Sequence, residues 1–188
     1  IAELDQLVDE ILLASRLDAR EADVGTVELV DLIGLAAEEC ARVDAELDVT
    51  AVPEGLEVRG VAKLLRRALR NLLENARRYS QGDITVVLQR HDGQAQVSVL
   101  DRGPGVPPAL RERIFEPFYR LPGASERAGG VGLGLALVRS IAQRHNGSVR
   151  CEDQPDGSGG ACFVLRLPLH SPPGTAAPAP QRKGTGAK

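Results

Sequence analysis

The sequence predicts an α/β fold, a two-layer sandwich in which helices cover one face of a mixed sheet. Two patterns carry this prediction. Segments in which apolar and polar residues alternate, as in half-buried strands, come in pairs, at 47–59, 84–101 and 148–167. Segments with apolar residues at helical spacing interrupt these pairs, at 28–43, 61–79 and 133–145. Strands that cluster while helices interrupt them favour a sheet with a helical layer packed against it.

Composition sets the broad class of the protein. The 188 residues are 43% hydrophobic and 26% charged, with a net charge of -3, as in an ordinary globular domain. This charge gives no broad basic field, so no nucleic-acid partner is expected. No apolar run is long enough to span a bilayer, and we expect a cytoplasmic location for these residues. Three widely spaced cysteines, Cys40, Cys151 and Cys162, predict buried free thiols.

A first helical pattern, residues 1–18, precedes the sandwich. Its apolar residues follow helical spacing and form a broad face that includes Leu4, Leu7, Val8, Ile11, Leu12, Leu13 and Ala14. Such a helix has to pack on its own domain or in a bundle with other helices. Because the pattern is already under way at Ile1, we expect a bundle and a longer parent protein. Residues 19–25 are polar and predict a linker.

The domain that follows is expected to span residues 26–168. Its first helix, 28–43, leads into two short strands, and the helix at 61–79 has the strongest apolar periodicity. A hairpin with its turn at residues 91–93 comes next. Asp101 stands on the apolar parity of the second hairpin strand, where a buried carboxylate needs a partner.

The rest of the domain contains an irregular connection. Residues 102–131 lack periodicity and are rich in Gly, Pro and Arg. A connection of this length is uncommon inside a domain and is usually functional, so we expect a lid over a site. A helix and a closing hairpin complete the domain. Residues 169–188 are rich in Pro, Gly and Ala, which predicts a disordered tail.

Glycines at the end of this connection suit an anion. Gly130, Gly132 and Gly134 stand directly before the last helix, whose first N–H groups lack internal acceptors and carry the positive end of the helix dipole. A Walker loop does not fit, because Leu135 follows where lysine is needed, and the third glycine of a Rossmann fingerprint would fall at Leu137. Taken alone, the glycines fit a flexible turn equally well.

Two amides on the helix at 61–79 add a second feature. Asn71 and Asn75 lie four residues apart and therefore on one helix face. Carboxamide oxygens suit a Mg²⁺ ion that is held between phosphates and a protein oxygen. Arg78 and Tyr79 close the same helix, where a cation could meet phosphate and a ring could border a base or ribose. The alternative is a set of solvated polar positions near a helix end.

Four segments in this order, "NLLENARRY", "DRGPGV", "IFEPFYR" and "GGVGLGLALV", resemble the N, G1, F and G2 boxes of bacterial sensor histidine kinases. The resemblance covers about residues 26–168. The opening helix is similar to the second helix of the family's dimerization and phosphoacceptor domain. The resemblance implies the Bergerat (GHKL) ATPase fold, binding of ATP with Mg²⁺ under a flexible lid, and phosphoryl transfer to a histidine for relay to a response regulator. It also implies a homodimeric parent protein anchored in the inner membrane.

The same resemblance assigns roles to residues. Asn75 matches the Mg²⁺-coordinating asparagine, and Asp101 matches the carboxylate that accepts a hydrogen bond from the adenine amino group. Gly103 and Gly105 match the glycines beneath the base. The other implied nucleotide contacts are Asn71, Arg78, Tyr79, Val106, Phe118, Arg120, Gly130, Val131, Gly132, Leu133, Gly134 and Leu135.

Two departures from the family pattern stand out. Arg78 occupies a position where many relatives have lysine, which keeps the cation but changes its geometry. None of His91, His145 and His170 lies in the sequence pattern around the family's phosphoacceptor, so that histidine is expected upstream of Ile1. Two other functions stay open: a serine kinase of the same fold that acts on an anti-sigma partner, and a catalytically silent binding module.

Overall fold

The computed structural model describes residues 25–122 and 132–170, together with residues 5, 8, 9, 11–13 and 15 of the opening segment, which are helical. The sequence-predicted linker as far as residue 24, the site candidates Gly130 and Val131, and the predicted tail from residue 171 lie outside the described residues.

The described domain alternates short strands with three helices. In chain order its elements are β1 (Glu28–Asp31), α1 (Leu32–Val43), β2 (Glu46–Asp48), β3 (Glu57–Gly60), α2 (Ala62–Tyr79), β4 (Thr85–His91), β5 (Gln94–Leu100), α3 (Gly134–Arg144), β6 (Ser148–Glu152) and β7 (Cys162–Pro168). Two short 3₁₀ turns, Pro108–Leu110 and Arg113–Phe115, lie between β5 and α3. No helix among the described residues is both long and apolar enough to cross a membrane.

The main sheet has five strands in the order β2-β4-β5-β7-β6. The β2–β4 pair is parallel and the other pairs are antiparallel, so the sheet is mixed. Alternate residues such as Val86, Val97 and Leu165 are buried and form one core with leucines of α1 and α2 and with α3. The predicted α/β sandwich, a mixed sheet with a helical layer, is confirmed.

The start of the first helix is a correction to the sequence prediction. Residues 28–31 do not begin a helix but form β1, which pairs antiparallel with β3 in a separate two-stranded sheet. The helix begins at Leu32, because Asp31 has an extended backbone and its side chain accepts a hydrogen bond from the Ile33 N–H at 2.9 Å. Leu29, an apolar residue within the predicted helix, has an exposed side chain.

The first predicted strand, which follows this helix, also differs in length from the prediction. It was expected near residues 47–52, but β2 ends at Asp48. The Asp48 carboxylate accepts hydrogen bonds from the backbone N–H (2.9 Å) and the hydroxyl (2.7 Å) of Thr50, which turns the chain out of the sheet.

All three cysteines are buried and free, as predicted, and burial raises the pKa of the Cys40 thiol to about 11.

A buried carboxylate joins α1 to α2. Glu39 is 2% exposed and accepts two hydrogen bonds from Arg70, both at 2.9 Å, and one from Arg66 at 3.1 Å. These bonds, above all those from Arg70, hold the pKa of the Glu39 carboxyl below its usual value against the opposing effect of burial. The two helices are therefore fixed by charge-assisted hydrogen bonds in addition to apolar packing.

A histidine joins the end of α3 to the start of α2. The His145 Nδ1–H donates to the Ile141 carbonyl at 2.7 Å, and Nε2 accepts from the Val61 N–H at 3.0 Å. This arrangement requires the neutral ring. Burial lowers the pKa of His145, and the charge of Arg144 acts in the same direction. Gly60 leaves the space for the ring, since a Cβ there would lie 2.7 Å from its Cδ2.

Glu39→Gln is expected to lower the free energy of unfolding by about 3 kcal/mol, the low end for removing one partner of a buried ion pair, because the arginines are partly hydrated. Urea denaturation measures this. The matched control is Glu38→Gln, which removes an exposed carboxylate that also pairs with Arg66 and should cost at most about 1 kcal/mol. Equal losses in the two variants would contradict a special role for the buried carboxylate.

The His145 contacts predict a pH dependence of stability. Because its folded pKa lies below the unfolded value of about 6.5, the stabilisation is fully present above that value and is lost as the pH falls toward and through the folded pKa. The stability advantage of the wild type over His145→Gln, measured by urea denaturation, should therefore shrink as the pH falls below about 6.5. An advantage that stays constant from neutral to acidic pH would show that His145 does not titrate this contact.

Candidate functional site

Asp101 follows β5 directly, and its side chain folds back onto the backbone. It is 3% exposed. Its N–H donates to the Ala161 carbonyl at 3.0 Å, which continues the β5–β7 pairing by one residue. Its Oδ1 accepts from the N–H of Gly103 at 2.8 Å and from the N–H of Ala161 at 3.3 Å. Burial raises the pKa of the Asp101 carboxyl, and the two backbone hydrogen bonds oppose that rise.

The second oxygen of this carboxylate is available. Both backbone hydrogen bonds go to Oδ1, and Oδ2 accepts none from the described residues. Oδ2 of Asp101 is not one of the side-chain atoms of the described residues that are completely buried and have no hydrogen-bond partner. The fold therefore satisfies one oxygen of Asp101 and leaves the other as an acceptor for a ligand or water.

The turn after Asp101 lies against the end of α2. A Cβ at Gly103 would lie 2.6 Å from the Tyr79 carbonyl oxygen, so only glycine permits this approach. The buried Ser80 hydroxyl accepts hydrogen bonds from the N–H of Arg102 at 3.1 Å and of Gly82 at 3.2 Å. These contacts place the end of α2, which includes the half-buried Tyr79, next to the Asp101 turn.

The two amides of α2 have different surroundings. Asn71 is buried, and its Nδ2 donates to the Gly134 carbonyl at 3.2 Å, so it ties α2 to the first turn of α3. Asn75, one turn further along, is half-buried, and its side chain makes no hydrogen bond to the described residues. An amide oxygen without a protein partner fits a hard cation such as Mg²⁺. Arg78, near the end of α2, is exposed.

The first turn of α3 has no side-chain cap. Leu133 precedes it and is buried, so the N–H groups that begin at Gly134 remain available for an anion. Gly132 has φ +81° and packs on the chain at Phe118 and Tyr119, where a Cβ would lie 2.8 Å from the Tyr119 carbonyl oxygen. The Phe118 N–H donates to the Gly132 carbonyl at 3.0 Å. This bond joins Phe118, inside the predicted lid of residues 102–131, to the residue that directly follows the lid.

The remaining candidates occupy the borders of this region. Phe118 is 64% exposed and has φ +64°, a conformation that costs a non-glycine residue about 1 kcal/mol or more. Val106 and Leu135 are half-buried and pack against the core. Arg120 is half-buried. Gly105 has φ +72° and lies close to the β6–β7 connection, where a Cβ on Gly105 would be 3.0 Å from a backbone carbonyl oxygen.

The sequence prediction missed the contribution of the β6–β7 connection. Gln154 is 5% exposed, and its Nε2 donates to the carbonyl oxygens of Asp101 at 2.6 Å and Ala161 at 3.3 Å. Gly160 fits against the Asp101 carbonyl, where any side chain would overlap it. The one signal for these contacts is the β5–β7 register, which a single sequence does not reveal because β6 and α3 separate the strands along the chain.

Contacts between elements bring three chemical capacities together. The end of α2 touches the Asp101 turn, and the middle of α2 touches the start of α3. Within the part of the chain that the structure describes, one region therefore offers a carboxylate acceptor, an amide side chain without a hydrogen bond and the N–H groups of a helix that has no side-chain cap. This combination can bind a ligand that carries an amino group at one end and an anionic group with a cation at the other.

Comparison with known proteins agrees with this geometry. Residues 60–171 match the family described as histidine kinase-, DNA gyrase B-, and HSP90-like ATPases. The chain is 35% identical over 179 residues to the sensor-like histidine kinase SenX3 of Mycolicibacterium smegmatis (90% of this chain, 46% of that protein). It is 38% identical over 173 residues to the sensor histidine kinase CpxA of Escherichia coli strain K12 (89% and 37%).

The solved structure of the mycobacterial sensor histidine kinase MprB is similar with a TM-score of 0.66 and 32% identity, covering 77% of this chain and 98% of that one. The chain spans less than half the length of the two curated relatives. It belongs to the histidine kinase-, DNA gyrase B- and HSP90-like ATPase family, as the ATP-binding catalytic part of a sensor histidine kinase.

Proposed function

We propose that this domain binds ATP with Mg²⁺ and delivers the γ-phosphoryl group to a histidine, from which it passes to an aspartate of a response regulator. The observation that carries the proposal is the Asp101 carboxylate, with Oδ1 held by two backbone N–H groups and Oδ2 left as an acceptor. Family membership as an ATPase and the free N–H groups at the start of α3 support it.

The base lies at Asp101 in this proposal. Oδ2 accepts a hydrogen bond from the adenine amino group, and Gly103 and Gly105 lie beneath the ring. The absence of a Cβ at these two positions lets their backbone pack against the carbonyl oxygens of Tyr79 and Gly160. Tyr79 and Val106, both half-buried, border the base and ribose. Because the carboxylate is already oriented by the backbone, base binding costs little additional ordering of the protein.

The phosphates lie at the start of α3. The N–H groups of Gly132, Leu133, Gly134 and Leu135 accommodate them. The proposal also includes Gly130 and Val131, which lie outside the described residues, as phosphate contacts. Arg78 and Arg120 contribute positive charge, and the exposed Phe118 ring forms part of the lid. Asn71 acts indirectly, since its amide holds α2 against this turn through Gly134.

Asn75 is the protein ligand of Mg²⁺. When bound, the ion neutralises phosphate charge and orients the γ-phosphate. No side chain of the domain has to act as a general base, because phosphoryl transfer depends mainly on positioning and charge neutralisation. In the transfer, the bond between the γ-phosphorus and the ADP oxygen breaks and a bond to an imidazole nitrogen forms. Asn71 is a neutral amide and cannot accept a proton from water. Because it cannot act as a general base for hydrolysis, transfer of the phosphoryl group to histidine is favoured.

The acceptor histidine belongs to a segment of the parent protein that precedes the domain. His145 is engaged at both ring nitrogens, so it does not serve as the acceptor. In the opening segment, Val8, Ile11 and Leu12 are exposed on a helix, which fits a helical bundle formed by a homodimer. We further propose that the parent protein is anchored in the inner membrane, with this domain in the cytoplasm.

Phosphoryl transfer is tested with the chain, Mg²⁺-ATP labelled in the γ-position and a separately produced acceptor domain of the same parent protein. The expected product is phosphate on a histidine of the acceptor, stable in alkali and labile in acid, which passes to an aspartate when the regulator is added. Nucleotide binding without any phosphohistidine would refute the kinase proposal.

Asp101→Asn should weaken ADP binding at least about tenfold, because the amide offers a donor where Oδ2 accepted from the adenine amino group. Inosine diphosphate, which carries an oxygen at that position, should lose less affinity or gain some. Calorimetric titration of both nucleotides measures this. The preference for ADP over inosine diphosphate should therefore fall, and an unchanged preference would remove Asp101 from the base pocket.

Asn75→Ala should abolish the increase in ATP affinity that Mg²⁺ produces, since it removes the proposed protein ligand. The measurement is an ATP titration with Mg²⁺ and with excess chelator. Glu74→Gln is the matched control: it removes a neighbouring carboxylate and should keep the Mg²⁺ effect. If the effect persists in Asn75→Ala, or disappears in Glu74→Gln, the ion lies elsewhere.

A further inference from the structure

We propose that Gln154 is a positioning residue for Asp101, and that the β6–β7 connection, residues 153–161, thereby sets the specificity of the site for adenine. This inference rests on the proposed function, in which Asp101 binds the base. It adds a residue outside the four sequence motifs, on an element to which the sequence assigned no role.

The contacts of Gln154 are directed at the backbone of Asp101. Its Nε2 donates to the Asp101 carbonyl at 2.6 Å and to the Ala161 carbonyl at 3.3 Å. These two residues pair with each other just after the end of β5 and just before the start of β7. At 5% exposure the amide is withdrawn from water, so its loss would leave a buried Asp101 carbonyl without that donor.

The connection also fits tightly around the same peptide. Gly160 has φ +120° and lies so close to the Asp101 carbonyl that a Cβ would overlap its oxygen. On its other side, the Gly160 carbonyl lies against Gly105, which is placed beneath the base in the proposed function. The connection therefore touches both the base-binding carboxylate and the floor of the base site.

Asp156 and Ser158 of the β6–β7 connection contact Arg102, the residue after Asp101. The Arg102 guanidinium donates to the Ser158 hydroxyl at 2.5 Å and lies 3.8 Å from the Asp156 carboxylate. Asp156 in turn accepts from the Ser158 backbone N–H at 2.9 Å. Gln154 also fixes the start of this turn, because its own carbonyl accepts from the Gly157 N–H at 3.0 Å.

These contacts determine where Oδ2 points. Backbone N–H groups hold the Asp101 side chain at Oδ1, and the Gln154 side chain holds the Asp101 peptide by a hydrogen bond to its carbonyl oxygen. A small rotation of that peptide would move Oδ2 away from the amino group of adenine. A nucleotide whose base lacks this amino group would lose little, so the ratio of the affinities for ADP and inosine diphosphate reports the position of Oδ2.

The test compares Gln154→Met with Gln143→Met. Methionine keeps the length of the side chain and removes the donor, and Gln143 is an exposed glutamine near the end of α3. Calorimetric titration with ADP and inosine diphosphate is performed where urea denaturation shows each variant to be folded. Gln154→Met should lower the affinity for ADP about tenfold and that for inosine diphosphate less than about twofold, the loss expected for one misplaced hydrogen bond to a charged group. Gln143→Met should change neither.

Two results would overturn the inference while the proposed function stands. One is an unchanged ratio in Gln154→Met with normal ADP affinity, and the other is an equal loss for both nucleotides, which would indicate a structural role alone. If the wild type binds neither nucleotide, the proposed function itself fails.

A second measurement on the wild type covers the case in which Gln154→Met does not fold. The side-chain NH₂ protons of Gln154 should exchange with solvent much more slowly than those of Gln143 and should shift when ADP binds. Exchange of Gln154 as fast as that of Gln143 would contradict the proposal.

Discussion

The pairing of Asp101 with Ala161 is the constraint on which the site depends. It lies one residue beyond the β5–β7 ladder, and its position follows from the register of the sheet, in which Leu100 faces Cys162. The pairing brings the Ala161 N–H to the Asp101 carboxylate and orients it. A buried carboxylate would be unfavourable at a strand end without these bonds. With them, one oxygen is satisfied and the other is kept for a ligand.

The rest of the site lies on α2 and α3, which are joined to each other at two points. At one end of α3, Gly134 accepts from the buried Asn71, and at the other end His145 accepts from Val61 at the start of α2. The two helices are thus held antiparallel and side by side. Asn75, whose side chain makes no hydrogen bond to the described residues, therefore lies on α2 between two contacts: that of Asn71 with the uncapped turn of α3 and that of the end of α2 with the Asp101 turn.

Several features of the fold and of the site were predictable because they depend on patterns among residues that are close along the chain. The apolar spacing of α2 and the alternation of β4 and β5 are properties of neighbouring residues, and so is the conflict between Asp101 and its buried parity. The β1 strand was not predicted because its apolar residues fit a helix as well as a strand, and a partner that is distant along the chain, β3, decides between them. Gln154 was missed for a similar reason, since it contacts Asp101 across 53 positions of sequence.

The central claim is that the backbone holds Oδ1 of Asp101 and leaves Oδ2 for adenine. A crystal structure of this chain with ADP tests it most directly. The account predicts the adenine amino nitrogen at hydrogen-bond distance, about 3 Å, from Oδ2, with the N–H groups of Gly103 and Ala161 still on Oδ1. Adenine bound away from Asp101, or an amino group that displaces these N–H groups from Oδ1, would contradict it.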